Sequence, residues 1–239
     1  MEKYITIPTS NGCEISWVLN WTSNTQKLIV MVHGLTWSMS EAHYYAAKEY
    51  FTQKWYAVFR FNLYGGREKN RQLHTTSIRE HNVDVSVVLE YMNSQYSEIY
   101  LVWHSLAGPS IVSVENFPAH LQKIVFWDPA FDTSGTILRC FEKNGIWFFY
   151  PKNWKNIEIS QEMYKEFIEN NHMNQLQKIN FTHTNMYIIF AGLCDKIHFK
   201  NQTDQMWIEW YVVEWANHGF TQEWKYEELF ERTLEFIEK

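Results

Sequence analysis

Glycine is scarce in this chain, with 9 residues among 239, where the usual share of about 7% would give roughly 17. Cysteine is limited to Cys13, Cys140 and Cys194. An odd number at scattered positions excludes a disulfide framework and reads as reduced thiols. No uninterrupted apolar run reaches the roughly 18 residues of a membrane span. There is no run of Lys and Arg, and the net charge is −6, which argues against nucleic acid as a partner. The opening residues MEKYITIPTS lack a basic stretch leading into an apolar one, so no signal peptide is expected. These absences predict a cytoplasmic protein, in which the N-x-S/T triplets at Asn20, Asn180 and Asn201 carry no glycan. Repeats, low-complexity tracts and linkers are also missing, so residues 1–239 read as one domain.

Hydrophobic residues make up 46% of the chain and charged residues 20%, enough for a packed core. Strand-like and helix-like segments alternate. "YITI" (4–7) and "CEISWVL" (13–19) read as an opening antiparallel pair. "KLIVMVH" (27–33), "YAVFRF" (56–61), "EIYLVW" (98–103), "KIVFW" (123–127), "MYIIFA" (186–191) and "YVVE" (211–214) read as strands, and "KLIVMVH" is a nearly continuous apolar run, as expected of a strand buried on both faces. Helical spacing runs through about 40–54, 77–94 and 227–239, and a helix start is expected over 107–116. Alternation of this kind predicts an α/β fold with a predominantly parallel, doubly wound sheet. Between Trp127 and Met186 lie roughly 58 residues, too many for a simple crossover. With a helical piece near 159–170, they predict a small helical cap over about 130–180.

Ligands in such sheets bind at the carboxyl ends of the strands. His33-Gly34-Leu35, His104-Ser105-Leu106, Asp128-Pro129, Cys194-Asp195 and Asn217-His218-Gly219 each follow a predicted strand there. Taken singly, these residues have plainer readings. A serine between strand and helix caps the helix, an aspartate such as Asp195 caps the helix after it, and a histidine before glycine sits in a surface loop. Their joint chain order of Ser, Asp and His, with His33-Gly34 upstream, points to nucleophilic catalysis.

In "VHGL", "FRFNLYGG", "HSLAGPS", "FAGLCDK" and "ANHGF", which span almost the whole chain in order, the sequence resembles the α/β-hydrolase superfamily, most closely its small bacterial serine hydrolases of the esterase, lipase and acyl-peptidase kind. The resemblance implies a nucleophile elbow carrying Ser105, with His218 as base and Asp195 as acid. Asp128, which also ends a strand, is the alternative acid. Backbone N–H groups of Leu35 and Leu106 are the expected oxyanion hole. The implied reaction is hydrolysis of a small carboxylic ester, or of an amide or thioester, through an acyl-enzyme on Ser105. His33 and His104 are expected to orient loops, His198 to lie on a helix surface and Cys194 to be a buried neighbour. No cofactor is expected, and no metal: H-E-x-x-H, C-x-x-C and carboxylate clusters are missing. Gly65-Gly66 is followed by no Gly-Lys-Ser/Thr, which excludes a phosphate loop. The aromatic-rich "GIWFFYPKNW" (145–154) suggests an apolar acyl or aryl pocket.

One residue departs from the family pattern. The elbow G-x-S-x-G has Trp103 at its first position and Ala107 at its last. An indole where strand and helix cross closely would overpack the turn, and the alternative function is then a non-catalytic binding protein on the same fold. Tryptophan, at 12 residues, is also abundant at other places where glycine is usual: Trp21, Trp37, Trp55, Trp154, Trp210, Trp215 and Trp224. Trp127 reads as a true strand residue. The codon UGA is tryptophan in some genetic codes and glycine in others, so the expectation is that many of these positions are glycine in the native protein.

Overall fold

A computed structural model describes residues 1–65, 67–106, 108–109, 114, 117–151, 155–169, 185–194, 208–222 and 224–239. The strands in chain order are β1 (Glu2–Pro8), β2 (Glu14–Asn20), β3 (Lys27–Val32), β4 (Ala57–Phe61), β5 (Glu98–His104), β6 (Leu121–Trp127), β7 (Cys140–Lys143), β8 (Ile146–Phe149), β9 (Ile157–Ile159), β10 (Asn185–Ala191) and β11 (Glu209–Val213). Eight of them form one sheet in the order β1-β2-β4-β3-β5-β6-β10-β11. β1, β2 and β4 pair antiparallel; every pair from β4 to β11 is parallel. The predicted doubly wound α/β sheet and its opening antiparallel pair are therefore present.

The apolar runs make these strands because both faces are covered. Alternate residues of each strand point to opposite faces. One set, with Ile29, Met31, Val102 and Val125, packs under α1 (Ala42–Gln53) and α5 (Lys225–Glu238) through Tyr44, Phe51, Phe230 and Phe236. The other, with Leu28, Val30, Leu101 and Ile124, packs under α2 (Ile78–Asn93) through Val85, Val88, Leu89 and Met92. Each such side chain, taken fully out of water, contributes about 1.5–3 kcal/mol. α2 starts where the sequence provides a capping box: Ser77 accepts from the Glu80 N–H, and the Glu80 carboxylate accepts from the Ser77 N–H. Trp103 lies in β5 on the α2 side, fully buried, and among the described residues its indole N–H has no partner. Most of 107–116, the expected helix start, lies outside the described residues.

After β6 the chain leaves the sheet. α3 (Ser134–Ile137) leads into β7, β8 and β9, a three-stranded antiparallel sheet, and then α4 (Gln161–Glu169). The predicted helical piece is thus α4. The short sheet before it arises from an apolar hairpin, turned at Asn144-Gly145, where both residues take positive φ (55° and 79°). Phe149, Ile159, Met163 and Phe167 of this excursion cluster with Ile78 and Leu106, and Leu35 packs against them. Glu166 fastens α4 to the head of α2 by accepting from the N–H groups of Ile78 (2.5 Å) and Arg79 (3.3 Å). The aromatics of 145–149 pack mainly on their neighbours: Trp147 stacks on Tyr164 with centroids 3.7 Å apart, and Phe148 on Phe141. Among the described residues, no helix is long and apolar enough to cross a membrane.

Candidate active site

β5 and β6 are neighbours, with His104 in register with Trp127, so the residues after them, Ser105 and Asp128, leave the sheet side by side. Both turn sharply: Ser105 has φ 58° and Asp128 φ 43°, a left-handed conformation that costs about 1–2 kcal/mol for a residue with a side chain. Hydrogen bonds hold the bends. The Ser105 N–H donates to the Trp127 carbonyl (3.0 Å), its carbonyl accepts from the N–H groups of Gly108 and Ala130 (both 3.1 Å), and the Asp128 N–H donates to Ile189 (2.7 Å). The left-handed turn lifts the Ser105 hydroxyl out of the strand line, as a nucleophile elbow does.

His218 reaches this point from a loop after β11. Asn217 shapes the loop, its Oδ1 accepting from the N–H groups of Gly219 (3.1 Å) and Thr221 (3.0 Å), and buried Phe220 anchors it. His218 Nδ1 is hydrogen-bonded to Asp128 Oδ2, and Nε2 lies 2.7 Å from Ser105 Oγ. A carboxylate only accepts, so Nδ1 carries the proton and Nε2 is left to accept from the serine hydroxyl. Asp128 is fully buried, and its Oδ1 accepts from the Ala191 N–H at 3.1 Å. The His218 side chain keeps 40% of its surface exposed, so the ring edge is open to solvent while the acid is not.

The loop after β3 forms the other wall. A Cβ on Gly34 would meet Ser105 Cβ at 2.7 Å and His104 O at 3.1 Å, so only glycine lets this backbone approach Ser105. Neutral His33 fixes the loop: Nδ1–H donates to Gly34 O (2.9 Å), and Nε2 accepts from the Leu63 N–H (3.0 Å). Burial pushes its pKa down to about 4. Leu35 and Leu106 follow Gly34 and Ser105 directly, and neither N–H is engaged by another described residue. Beside them is a small pocket walled by Leu35, Leu63, Ile78, Leu106, Met163 and His81, with room for about one water-sized group.

Of the candidates read from the sequence, the structure brings together Ser105, His218 and Asp128, the alternative acid. Asp195, the acid first implied, and His198 lie outside the described residues, as does Trp154. His104 is buried behind the serine, with Nε2 2.7 Å from the His218 carbonyl. Cys194 is half-buried, and its sulfur lies within 4.8 Å of the Asp128 and His218 ligand atoms, the one group of this kind among the described residues that could hold a metal. Both His218 nitrogens are already engaged, however, so ligation would break the His218–Asp128 or His218–Ser105 contact. Trp37, read from the sequence only as a loop tryptophan where glycine is usual, lies against the site. Its ring lies 4.5 Å from His104 and 6.4 Å from His218 by centroids; an aromatic two residues past Leu35 was the available signal.

No family model matches the sequence, and no curated protein matches it. Solved structures match over nearly the full length. Est1E from Butyrivibrio proteoclasticus, solved with ferulic acid bound, is 15% identical with a TM-score of 0.77, the match covering 98% of this chain and 97% of that one. The esterase domain of a Rhodothermus marinus protein is 16% identical with a TM-score of 0.72, covering 98% and 96%. The α/β-hydrolase GrgF from Penicillium sp. is 12% identical with a TM-score of 0.78, covering 99% and 98%. At these identities the likeness is one of fold.

Proposed function

The chain has the α/β-hydrolase fold, and we propose that it is a serine hydrolase cleaving small carboxylic esters, with Ser105 as nucleophile, His218 as base and Asp128 as acid. The observation that carries this reading is the continuous path from Ser105 Oγ to His218 Nε2 and from His218 Nδ1 to the buried Asp128 carboxylate.

Ser105 Oγ attacks the ester carbonyl while His218 Nε2 takes its proton. Asp128 holds the ring in the required tautomer and stabilises the imidazolium. The tetrahedral oxyanion forms beside the Leu35 and Leu106 N–H groups, each such donor being worth about 3–4 kcal/mol in the transition state. Collapse returns the proton to the leaving alkoxide and leaves an acyl group on Ser105. Water, deprotonated by His218, then attacks the acyl carbonyl; the carboxylic acid departs and the serine recovers its proton. The esterase neighbours agree with ester chemistry.

A fluorophosphonate probe together with p-nitrophenyl acetate tests the reading. Folded protein should be labelled at Ser105 and release p-nitrophenol, and Ser105→Ala should lose both. Folded protein that neither labels nor turns over would replace this reading with the binding-protein alternative.

A further inference from the structure

The base loop and the nucleophile are tied by a bond that the catalytic chemistry itself does not use. We propose that His104 is a positioning residue for the proposed hydrolysis, its Nε2–H holding the His218 backbone in register with Ser105; this rests on the serine-hydrolase reading. The His218 carbonyl can only accept, so at 2.7 Å His104 must donate through Nε2. The residue before the nucleophile therefore fixes the backbone of the residue that must accept the nucleophile's proton. The ring is also clamped, lying 4.9 Å from His218, 4.5 Å from Trp37 and 5.3 Å from His43 by centroids. Since a misplacement of about 1 Å costs about 10²-fold in rate, loss of this bond should act on kcat.

Substituents that differ only in donor reach provide the test. Gln at 104 places an amide N–H near the position of Nε2, whereas Asn is too short. His104→Gln should keep kcat within about 3-fold. His104→Asn and His104→Leu should lose about 10- to 100-fold in kcat, with KM nearly unchanged. Amide exchange at Gly219 and Phe220, which needs no turnover, should quicken in Asn and Leu but not in Gln. Equal losses in Gln and Asn, or unchanged exchange in Asn, would overturn the proposal. An inactive, unlabelled wild type with this exchange pattern would instead count against the hydrolase reading alone.

A separate observation concerns three exposed tryptophans. Trp55, Trp215 and Trp224 have φ of 67°, 61° and 67°, the left-handed region in which a bulky residue is an outlier. Each sits at a position built for glycine. Trp55 follows the C-cap of α1, its N–H donating to Thr52 O (3.3 Å) and the Tyr56 N–H to Phe51 O (3.1 Å); this is a Schellman motif with tryptophan at C′. Trp215 is the third residue of the turn closed by the Ala216 N–H on Val213 O, where positive φ calls for glycine. Trp224, with ψ −8°, is the third residue of the turn closed by the Lys225 N–H on Gln222 O. All three side chains are about 70% exposed, so packing does not account for them. Trp127 and Trp147 contrast with these: one donates to Thr233 Oγ1 at 2.9 Å, the other stacks on Tyr164.

We infer that Trp55, Trp215 and Trp224 are glycine in the protein made by its own cells, their codon UGA being read there as glycine. Trp215 and Trp224 bracket the loop that carries His218, so the native loop would bend at two glycines. Trp21 and Trp210 do not have positive φ, and the inference does not extend to them. The gene should carry UGA at 55, 215 and 224 and UGG at 127 and 147, and peptides of the natively produced protein should carry the lighter residue at those three positions. UGG at the three, or tryptophan in those native peptides, would overturn the inference.

Discussion

Replacing Asp128 by Asn puts the acid assignment to its sharpest test, because the structure dictates how the new amide must lie. Asp128 Oδ1 accepts from the Ala191 N–H at 3.1 Å. An asparagine keeps that bond only by placing its oxygen there, which turns its NH₂ toward His218 Nδ1. Nδ1 must then accept, the ring proton moves to Nε2, and Nε2 can no longer take the proton of Ser105. A wrong tautomer costs a Ser-His-Asp site about 10⁴-fold in kcat, or about 5.4 kcal/mol of barrier. The fold should hold, since shape and the Ala191 bond are kept, so the thermal midpoint serves as control. Steady-state hydrolysis of p-nitrophenyl acetate and the rate of fluorophosphonate labelling should fall together. Asp195→Asn should stay within about 3-fold of the parent. The reverse pattern, or an Asp128→Asn variant retaining more than a tenth of the parent kcat, would refute the reasoning.

Gly34→Ala brings a methyl to 2.7 Å from Ser105 Cβ; turnover and labelling should drop by about 10²-fold, and an active Gly34→Ala enzyme would mean that the loop after β3 does not flank the nucleophile as described. Acid should destabilise the protein, because burial lowers the pKa of His33 to about 4 and those of His43 and His81 to about 3 from an ordinary 6.5. With the folded values depressed, the unfolded chain binds more protons below about pH 6.5, so stability falls as pH drops toward 4, by about 2 kcal/mol per histidine at pH 5. Asp84 and Glu166, held above their usual range by burial, oppose this trend only between their ordinary and their raised pKa; urea midpoints that stay flat from pH 7 to 5 would contradict it. Glu166→Ala frees the two N–H groups at the head of α2 and should cost about 1–2 kcal/mol, read by thermal melting.

How much of this could be read from the sequence depends on what each feature requires. The sheet was legible because strands buried on both faces carry long apolar runs, as Leu28–Val32 of β3, Ile99–Trp103 of β5 and Met186–Ala191 of β10 do. α2 was legible from its spacing, and Ser77 and Glu80 mark its start. The sheet β7-β8-β9 was less so: strands of three or four residues offer too few alternations to tell from a loop. Ser105 and His218 were legible as candidates because each follows a strand end. The acid proposed above was not, for a topological reason. Asp128 and Asp195 both lie between Ser105 and His218 in the chain, so chain order fits either. What favours Asp128 is which strand lies beside β5, and strand neighbours are a property of the folded sheet. β6 lies beside β5, so the residue after Trp127 emerges next to the residue after His104, within reach of the same imidazole. The segment "FWDP" held the candidate, but only the strand order gives Asp128 a reason to face His218.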